Sequence, residues 1–346
     1  MTPVFQVVPA LPPAINGVGD YAALLAAALR SRGVDSRFVT IRAAADERVD
    51  VLERRSPTAL AAALESAERV VVHFSGYGYG SRGLCFWLVE GLERWRRQGR
   101  GRRLVTAFHE LYATGPVWRT SFWTAPAQRW LACRLAMASD AMLATSAATA
   151  GRLQVWQPAL RVETMAVFSN VGELAAPPAP KKRPATAVVF GGAHRARTWR
   201  ALAAAAPEAG TALRAAGIAE IVDIGPGLGS IPSDLNRVPI CVAGPLPAAE
   251  VSALLTRARV GIADYPRHVM TKSGILAAYF AHGMLCVNTS GIGDLPDDLA
   301  EGREFVSLTG LAGGSVDVEA VAAAGHRWYR GHDVAATAAL VHDLIA

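Results

Sequence analysis

The chain has 346 residues, 51% of them hydrophobic and 18% charged, with a formal net charge of +6. That length holds two domains of ordinary size, each with its own core, and the composition excludes a disordered or fibrous chain. The positive balance favours anionic partners; nucleic acid, a membrane surface and a nucleotide-sugar all fit it. No apolar run approaches the ~20 residues of a membrane span, and the start MTPVFQVVPALPP carries no basic leader. Cys85, Cys133, Cys241 and Cys286 are scattered in apolar contexts without metal-ligand spacing, so they read as reduced core residues of a cytoplasmic chain.

Residues 4–9 read as a short buried strand. A Pro/Gly loop then leads into a strong helix with Gly17-Val18-Gly19-Asp20 at its start and Gly33 at its close, and strand character resumes over 37–41. This is a βαβ unit, and a ligand belongs at the carboxyl edge of its sheet. A third glycine at dinucleotide spacing and an acidic residue ending the next strand are missing, which argues against a nicotinamide enzyme. Residues 67–74 form a second buried strand ending in Ser75-Gly76-Tyr77-Gly78-Tyr79-Gly80. Tyr77 and Tyr79 read either as stacking platforms for an acceptor or as parts of a mobile turn.

A helix over 84–95 runs into the basic stretch 94–103, which holds Arg94, Arg96, Arg97, Arg100, Arg102 and Arg103. It reads either as a contact for anionic lipid or charged glycan or as a solvated helix end, since cations suit a helix C-terminus. The aromatic platforms and base readers of a nucleic-acid site are not found. The strand 104–108 delivers His109 and Glu110 to the ligand edge, where an imidazole can exchange a proton near neutral pH. Strands over 141–144 and 164–168 follow, the second ending in the turn Ser169-Asn170-Val171-Gly172-Glu173.

The Pro-rich, charged segment 175–186 reads as a linker. A new strand over 187–190 follows, then Gly191-Gly192, His194, Arg195 and Arg197, so a second α/β domain begins there. Either Arg195 or Arg197 suits a phosphate, through its planar fork. The strand 220–224 ends in Gly225-Pro226-Gly227, a weak phosphate-loop pattern. The strand 238–243 ends at Gly244-Pro245 and is followed by a helix; the strand 260–263 ends at Asp264. Lys272-Ser273-Gly274 then opens a helix that Gly283 stops, before a strand over 285–288. A helix N-terminus with a Lys, a capping Ser and a Gly has the parts that grip a diphosphate. It also reads as an ordinary capped helix. A last helix covers 334–344.

Taken in order, GVGDY, the HE segment, SNVGE, the linker, FGG, IGPG, VAGPLP and KSGILAAYFAHG resemble the large bacterial family of retaining nucleotide-sugar glycosyltransferases (group 1, or family 4-like). The resemblance implies the GT-B fold: two doubly wound, Rossmann-like α/β domains facing across a cleft. Here these would be residues 1–174 on the acceptor side and 187–330 on the nucleotide-sugar side, joined by 175–186, with 331–346 crossing back to the first. It implies transfer of a sugar from a nucleoside-diphosphate sugar to a glycan, lipid-linked or small-molecule acceptor, with no metal and no cofactor. His109, Asp20 and Glu110 would be catalytic. Gly17, Gly19, Gly192, Arg195, Arg197, Val242, Lys272, Ser273 and Gly274 would hold the donor, and Tyr77 and Tyr79 the acceptor. The family's usual Glu pair falls at Met270 and Ala278 and is missing. An epimerase on the same fold and a non-catalytic binding member are the alternatives. A place at the inner face of a membrane, reached through 94–103, is expected, and no nucleic-acid partner.

Overall fold

A computed structural model describes residues 2–14, 16–43, 46–229, 231–296, 298–314 and 316–346. The chain divides into two compact units: Met1–Ala166 together with Val334–Ala346, and Val167–Asp333.

The first unit runs β1 (Val4–Val8), α1 (Gly17–Arg30), β2 (Ser36–Thr40), β3 (Val49–Val51), α2 (Pro57–Ala63), β4 (Arg69–Phe74), α3 (Gly76–Tyr79), α4 (Phe86–Arg97), β5 (Arg103–Phe108), α5 (Thr120–Ala138), β6 (Ala141–Ala144), α6 (Ala147–Trp156) and β7 (Val162–Thr164). Its sheet has the order β3-β2-β1-β4-β5-β6-β7, with every neighbouring pair parallel. Helices on both faces bury β1, β4 and β5, so these strands read as continuous apolar runs instead of alternating ones. Helix α1 starts where Asn16 Oδ1 accepts from the Val18 and Gly19 amides, at 3.1 and 2.9 Å. Chain order reverses between β1 and β4, which is the switch point where such sheets open to ligands.

The second unit runs β8 (Thr186–Phe190), α7 (Arg195–Ala204), α8 (Ala206–Ala215), β9 (Glu220–Ile224), β10 (Asp234–Leu235), β11 (Val238–Gly244), α9 (Ala248–Arg257), β12 (Val260–Ala263), α10 (Gly274–Ala281), β13 (Leu285–Asn288), β14 (Val306–Ser307), α11 (Leu308–Ala312) and α12 (Val318–Arg330). The last helix, α13 (Val334–Ile345), belongs to the first unit. The second sheet has the order β10-β11-β9-β8-β12-β13-β14; β10 and β11 are antiparallel and the other pairs parallel. Its switch point lies between β8 and β12.

Two expectations change. The strand expected over 164–168 is β7 (Val162–Thr164), and beyond it the Met165 amide still reaches the Ala144 carbonyl at 2.9 Å. The stretch 175–186 lies within the second unit and is held there by a buried side chain. Arg183 donates to the carbonyls of Pro178, Ala258, His282 and Gly283. Ala258 and His282 close α9 and α10, so one guanidinium satisfies two helix ends whose carbonyls would otherwise be orphaned. A Pro-rich composition alone does not reveal that anchor.

Helix α10 is buried on nearly every face, as a core helix is. Its Tyr279 hydroxyl accepts from the Phe190 amide at 3.0 Å and lies 3.2 Å from the Ile262 carbonyl, tying α10 to β8 and β12 at the switch point. The ring packs on Gly261, where an added Cβ would meet ring carbons at 2.4–2.6 Å. Gly261→Ala is therefore expected to destabilise the chain by about 1–3 kcal/mol or more. Gly227→Ala, facing open space, is expected to change little. Denaturant titration checks the contrast.

Candidate functional site

At the carboxyl edge of the first sheet, the ends of β1, β4 and β5 gather the expected residues of that unit. The His109 amide donates to the Phe74 carbonyl at 3.0 Å, which places the residue after β5 beside the end of β4. Ser75 Oγ donates to Glu110 Oε2 at 3.0 Å and orients that exposed carboxylate. Asp20, half-buried in the first turn of α1, has its carboxyl raised above the usual range by desolvation.

Beneath His109 lies a polar chain that sequence reasoning missed. His73 Nδ1 is 3.3 Å from His109 Nε2, and His73 Nε2 is 2.9 Å from Gln6 Oε1. Gln6 Nε2 in turn donates to Ser36 Oγ at 2.9 Å. His73, Gln6 and Ser36 are all buried. Burial first, and the neighbouring imidazole second, hold His73 well below the ordinary imidazole value, so it is neutral. Gln6 Oε1 can only accept, so His73 carries its proton on Nε2 and its Nδ1 accepts from His109 Nε2–H. In neutral His109 that leaves Nδ1 as the acceptor nitrogen. The buried Tyr21 ring makes T-shaped contacts with both imidazoles, at centroid distances of 5.0 Å to His109 and 5.8 Å to His73. Tyr21 is itself bonded to Thr337 of α13. The signal in the sequence was a lone His inside the otherwise apolar strand VVVHF.

Several residues of the first unit have roles other than those expected. Tyr79 is fully buried, with its hydroxyl 2.8 Å from the Val7 carbonyl and 3.0 Å from the His73 carbonyl, so it is a core residue and not an acceptor platform. The glycine–aromatic loop is instead the single-turn helix α3. Tyr77 remains exposed, and Gln128 Nε2 donates to its hydroxyl at 3.3 Å. Gly19 is buried; an added Cβ would lie 1.9 Å from the Ala10 carbonyl oxygen, so its bare face serves packing and not a donor. Gly17 is exposed at the head of α1.

In the second unit three loops converge at the switch point. An added Cβ on Gly191 would lie 2.5 Å from Ile275 Cδ1, and one on Gly225 would lie 2.0 Å from the Gly191 carbonyl oxygen. Both glycines have positive φ, 134° and 148°. The loops after β8 and β9 are thus pressed against each other and against the head of α10. There Ser273, nearly fully buried, accepts from the Leu276 amide at 3.2 Å. Lys272, half-buried, immediately precedes it. Gly192 and Gly274 face open space.

Arg195 is the strut of this arrangement and not a ligand of the donor. It is 1% exposed. Its Nε and Nη2 pair with the buried Asp223 at 2.9 and 3.0 Å, its Nη1 reaches the Gly191 and Gly192 carbonyls, and its Nη2 also reaches Pro226. Those five bonds occupy all five guanidinium donors. Trp199 Nε1 donates to the same Asp223 at 2.6 Å. Arg197 is the arginine that stays accessible, 40% exposed and 2.9 Å from Asp264 at the end of β12. Val242 is exposed on β11, as is the neighbouring Cys241, which was expected in a core.

The basic stretch 94–103 is tied to the fold in part, while Arg94, Arg97 and Arg100 stay exposed. Arg94 donates to Thr58, Arg96 to Asp140 and the Ala138 carbonyl, Arg102 to the Glu65 and Trp95 carbonyls, and Arg103 to the Leu344 carbonyl. Among the described residues, no group of three His, Cys, Asp or Glu is placed to hold a metal ion.

No protein-family model matches the sequence, and no curated protein matches it. Solved structures do. WaaG, a glycosyltransferase involved in lipopolysaccharide biosynthesis, superposes with a TM-score of 0.61 at 11% identity, over 99% of both chains. A putative UDP-N-acetylglucosamine 2-epimerase from Listeria monocytogenes gives 0.63 at 12%, over 98% of this chain and 94% of that one. An alpha-glucosyltransferase in complex with UDP and a 13-mer DNA gives 0.62 at 8%, over 99% of both chains. The fold is GT-B. In GT-B terms, the first unit is the amino-terminal Rossmann-like domain and the second the carboxyl-terminal one.

The strut assignment predicts a specific result. Arg195→Ala leaves Asp223 buried without its partner, so it is expected to cost about 3–5 kcal/mol of stability. Denaturant unfolding followed by tryptophan fluorescence checks this, since Trp199 shares the carboxylate.

Proposed function

We propose that the chain is a glycosyltransferase that takes a sugar from a nucleoside-diphosphate sugar without a metal, and that the second unit binds the diphosphate. The observation that carries this reading is the convergence of the Gly191-Gly192 loop, the Gly225 loop and the head of α10 at the switch point. Open space in front of Gly192 and Gly274 leaves room for a ligand against the backbone. The helix N-terminus supplies unpaired amides and a partial positive charge, and Lys272 adds a full one. Arg197 adds a second cation beside Asp264. These groups stabilise the negative charge that grows on the leaving diphosphate. The exposed end of β11, at Val242, is the proposed seat of the base.

In the first unit, His73 and Tyr21 fix the orientation of His109 at the sheet edge, where its imidazole is suited to a hydroxyl of the transferred sugar or of the acceptor. Gly17, Asp20, Glu110 and Tyr77 line the same sheet edge and form the proposed acceptor side. The likeness of KSGILAAYFAHG to retaining enzymes supports retention of anomeric configuration. The epimerase among the structural neighbours supports a second reading, isomerisation of the nucleotide-sugar itself, with Asp20 and Glu110 as acid and base. Incubation with nucleoside-diphosphate sugars separates the two: transfer or slow hydrolysis releases the nucleoside diphosphate, whereas epimerisation returns an isomeric nucleotide-sugar.

Lys272→Ala is expected to weaken nucleoside-diphosphate binding by about 1.5–3 kcal/mol, the range for hydrogen bonds to charged groups. Calorimetry giving an unchanged affinity removes Lys272 from the site. His109→Ala is expected to lower turnover by roughly 10²–10⁴-fold, the range for a positioned acid or base, while nucleotide affinity stays near that of the parent. Equal losses in both would assign His109 a structural role.

A further inference from the structure

Helix α5 has two apolar faces. One, with Gln128, Leu131, Ala132, Leu135 and Ala136, is buried in the first unit. The other carries Phe122, Trp130 and Met137, all exposed, at spacings that share one side of a helix. Exposed Trp118 and Trp123 stand at its amino-terminal end, 81% and 72% accessible. Scattered single hydrophobics on a surface need no explanation, but a contiguous patch marks an interaction site.

The segment that carries the patch has charge of one sign, although Glu90 and Glu93 of α4 lie beside Arg134 at its Trp130 end. Between Glu110 and Asp140 the sequence holds Arg119, Arg129 and Arg134 and no carboxylate. Arg119 and Arg129 are exposed. Arg134 lies 4.6 Å over the Trp130 ring and is paired with Glu93. Tryptophan flanked by arginine is the chemistry of the bilayer interface, where the ring sits at headgroup depth and the guanidinium meets lipid phosphate. No helix among the described residues is long and apolar enough to cross a membrane, so such a surface would rest on a bilayer and not span it.

We propose that the outer face of α5, with Trp118, Trp123, Trp130, Arg119 and Arg129, docks on an anionic lipid bilayer. This surface is additional to the basic stretch 94–103, where Arg94, Arg97 and Arg100 are also exposed. The same helix fixes the acceptor edge through its inner face. Gln128 Oε1 accepts from the Ala113 amide at 2.8 Å, while Nε2 donates to the Arg82 carbonyl at 2.7 Å and to Tyr77. A bilayer seated on α5 would therefore lie beside the segments carrying Tyr77 and His109. The docking proposal stands on the surface alone and survives if the sugar-transfer reading fails.

The test is vesicle co-sedimentation of the full chain. Binding to vesicles of phosphatidylcholine with 30–40% phosphatidylglycerol, roughly the anionic content that gives a strong surface potential, is expected to exceed binding to pure phosphatidylcholine at least tenfold. The double variant Trp118→Ser/Trp123→Ser is expected to lose at least tenfold in vesicle affinity with an unchanged melting curve, because both rings are exposed. Arg119→Gln/Arg129→Gln is expected to remove the preference for anionic lipid. Equal binding of the parent and the tryptophan variant overturns the proposal, as does failure of the parent to bind. So does light scattering that shows a dimer dissolved by the tryptophan substitutions, since the patch would then belong to a second copy.

Discussion

One guanidinium sets the shape of the second unit's ligand edge. Arg195 is buried against Asp223 and donates to carbonyls of two loops that leave adjacent strands. A buried ion pair seldom adds much net stability over an apolar replacement, because desolvation offsets its attraction. What it contributes here is position. The loops after β8 and β9 must turn through backbone angles that favour glycine, and without a tether they would be free to swing. Bonded to Arg195, they are held against Ile275 at the head of α10, where Gly274 borders open space.

The first unit uses the same device in a different form. There the tether is a line of neutral groups, Ser36, Gln6 and His73, running under the sheet edge to His109. A neutral, buried imidazole costs less to hold than an ion, and it fixes the tautomer as well as the orientation of its neighbour. Tyr21 closes the side, held from α13, the carboxyl-terminal helix that returns to this unit. The His109 imidazole is thus braced from β1, β2, β4, α1 and α13. Each brace is short, but their sequence positions are far apart.

That distribution explains what could be read without the structure. Buried strands such as VVVHF and the strand–helix–strand pattern around KSGILAAYFAHG are local signals, and they placed both sheets and most of the candidate edge. Arg195 and Arg197 were indistinguishable in sequence, because what separates them is Asp223, in a strand not yet paired with theirs. Tyr77 and Tyr79, two residues apart, fall on different sides of a single turn, and only the packing of that turn tells which is inside. Helix α5 escaped notice because apolar residues on both of its faces erase the amphipathic period on which helix recognition depends. Segment 175–186 looked like a linker because the anchoring role of Arg183 comes from carbonyls at the ends of α9 and α10.

The central claim is that the hollow formed by the loops after β8 and β9 and the head of α10 receives a diphosphate. Hydrogen–deuterium exchange with and without a panel of nucleoside diphosphates measures this most directly. The account predicts that at least one of them slows exchange in peptides covering 190–195 and 272–277. Slowed exchange confined to other parts of the chain, or no change with any member of the panel, would contradict it.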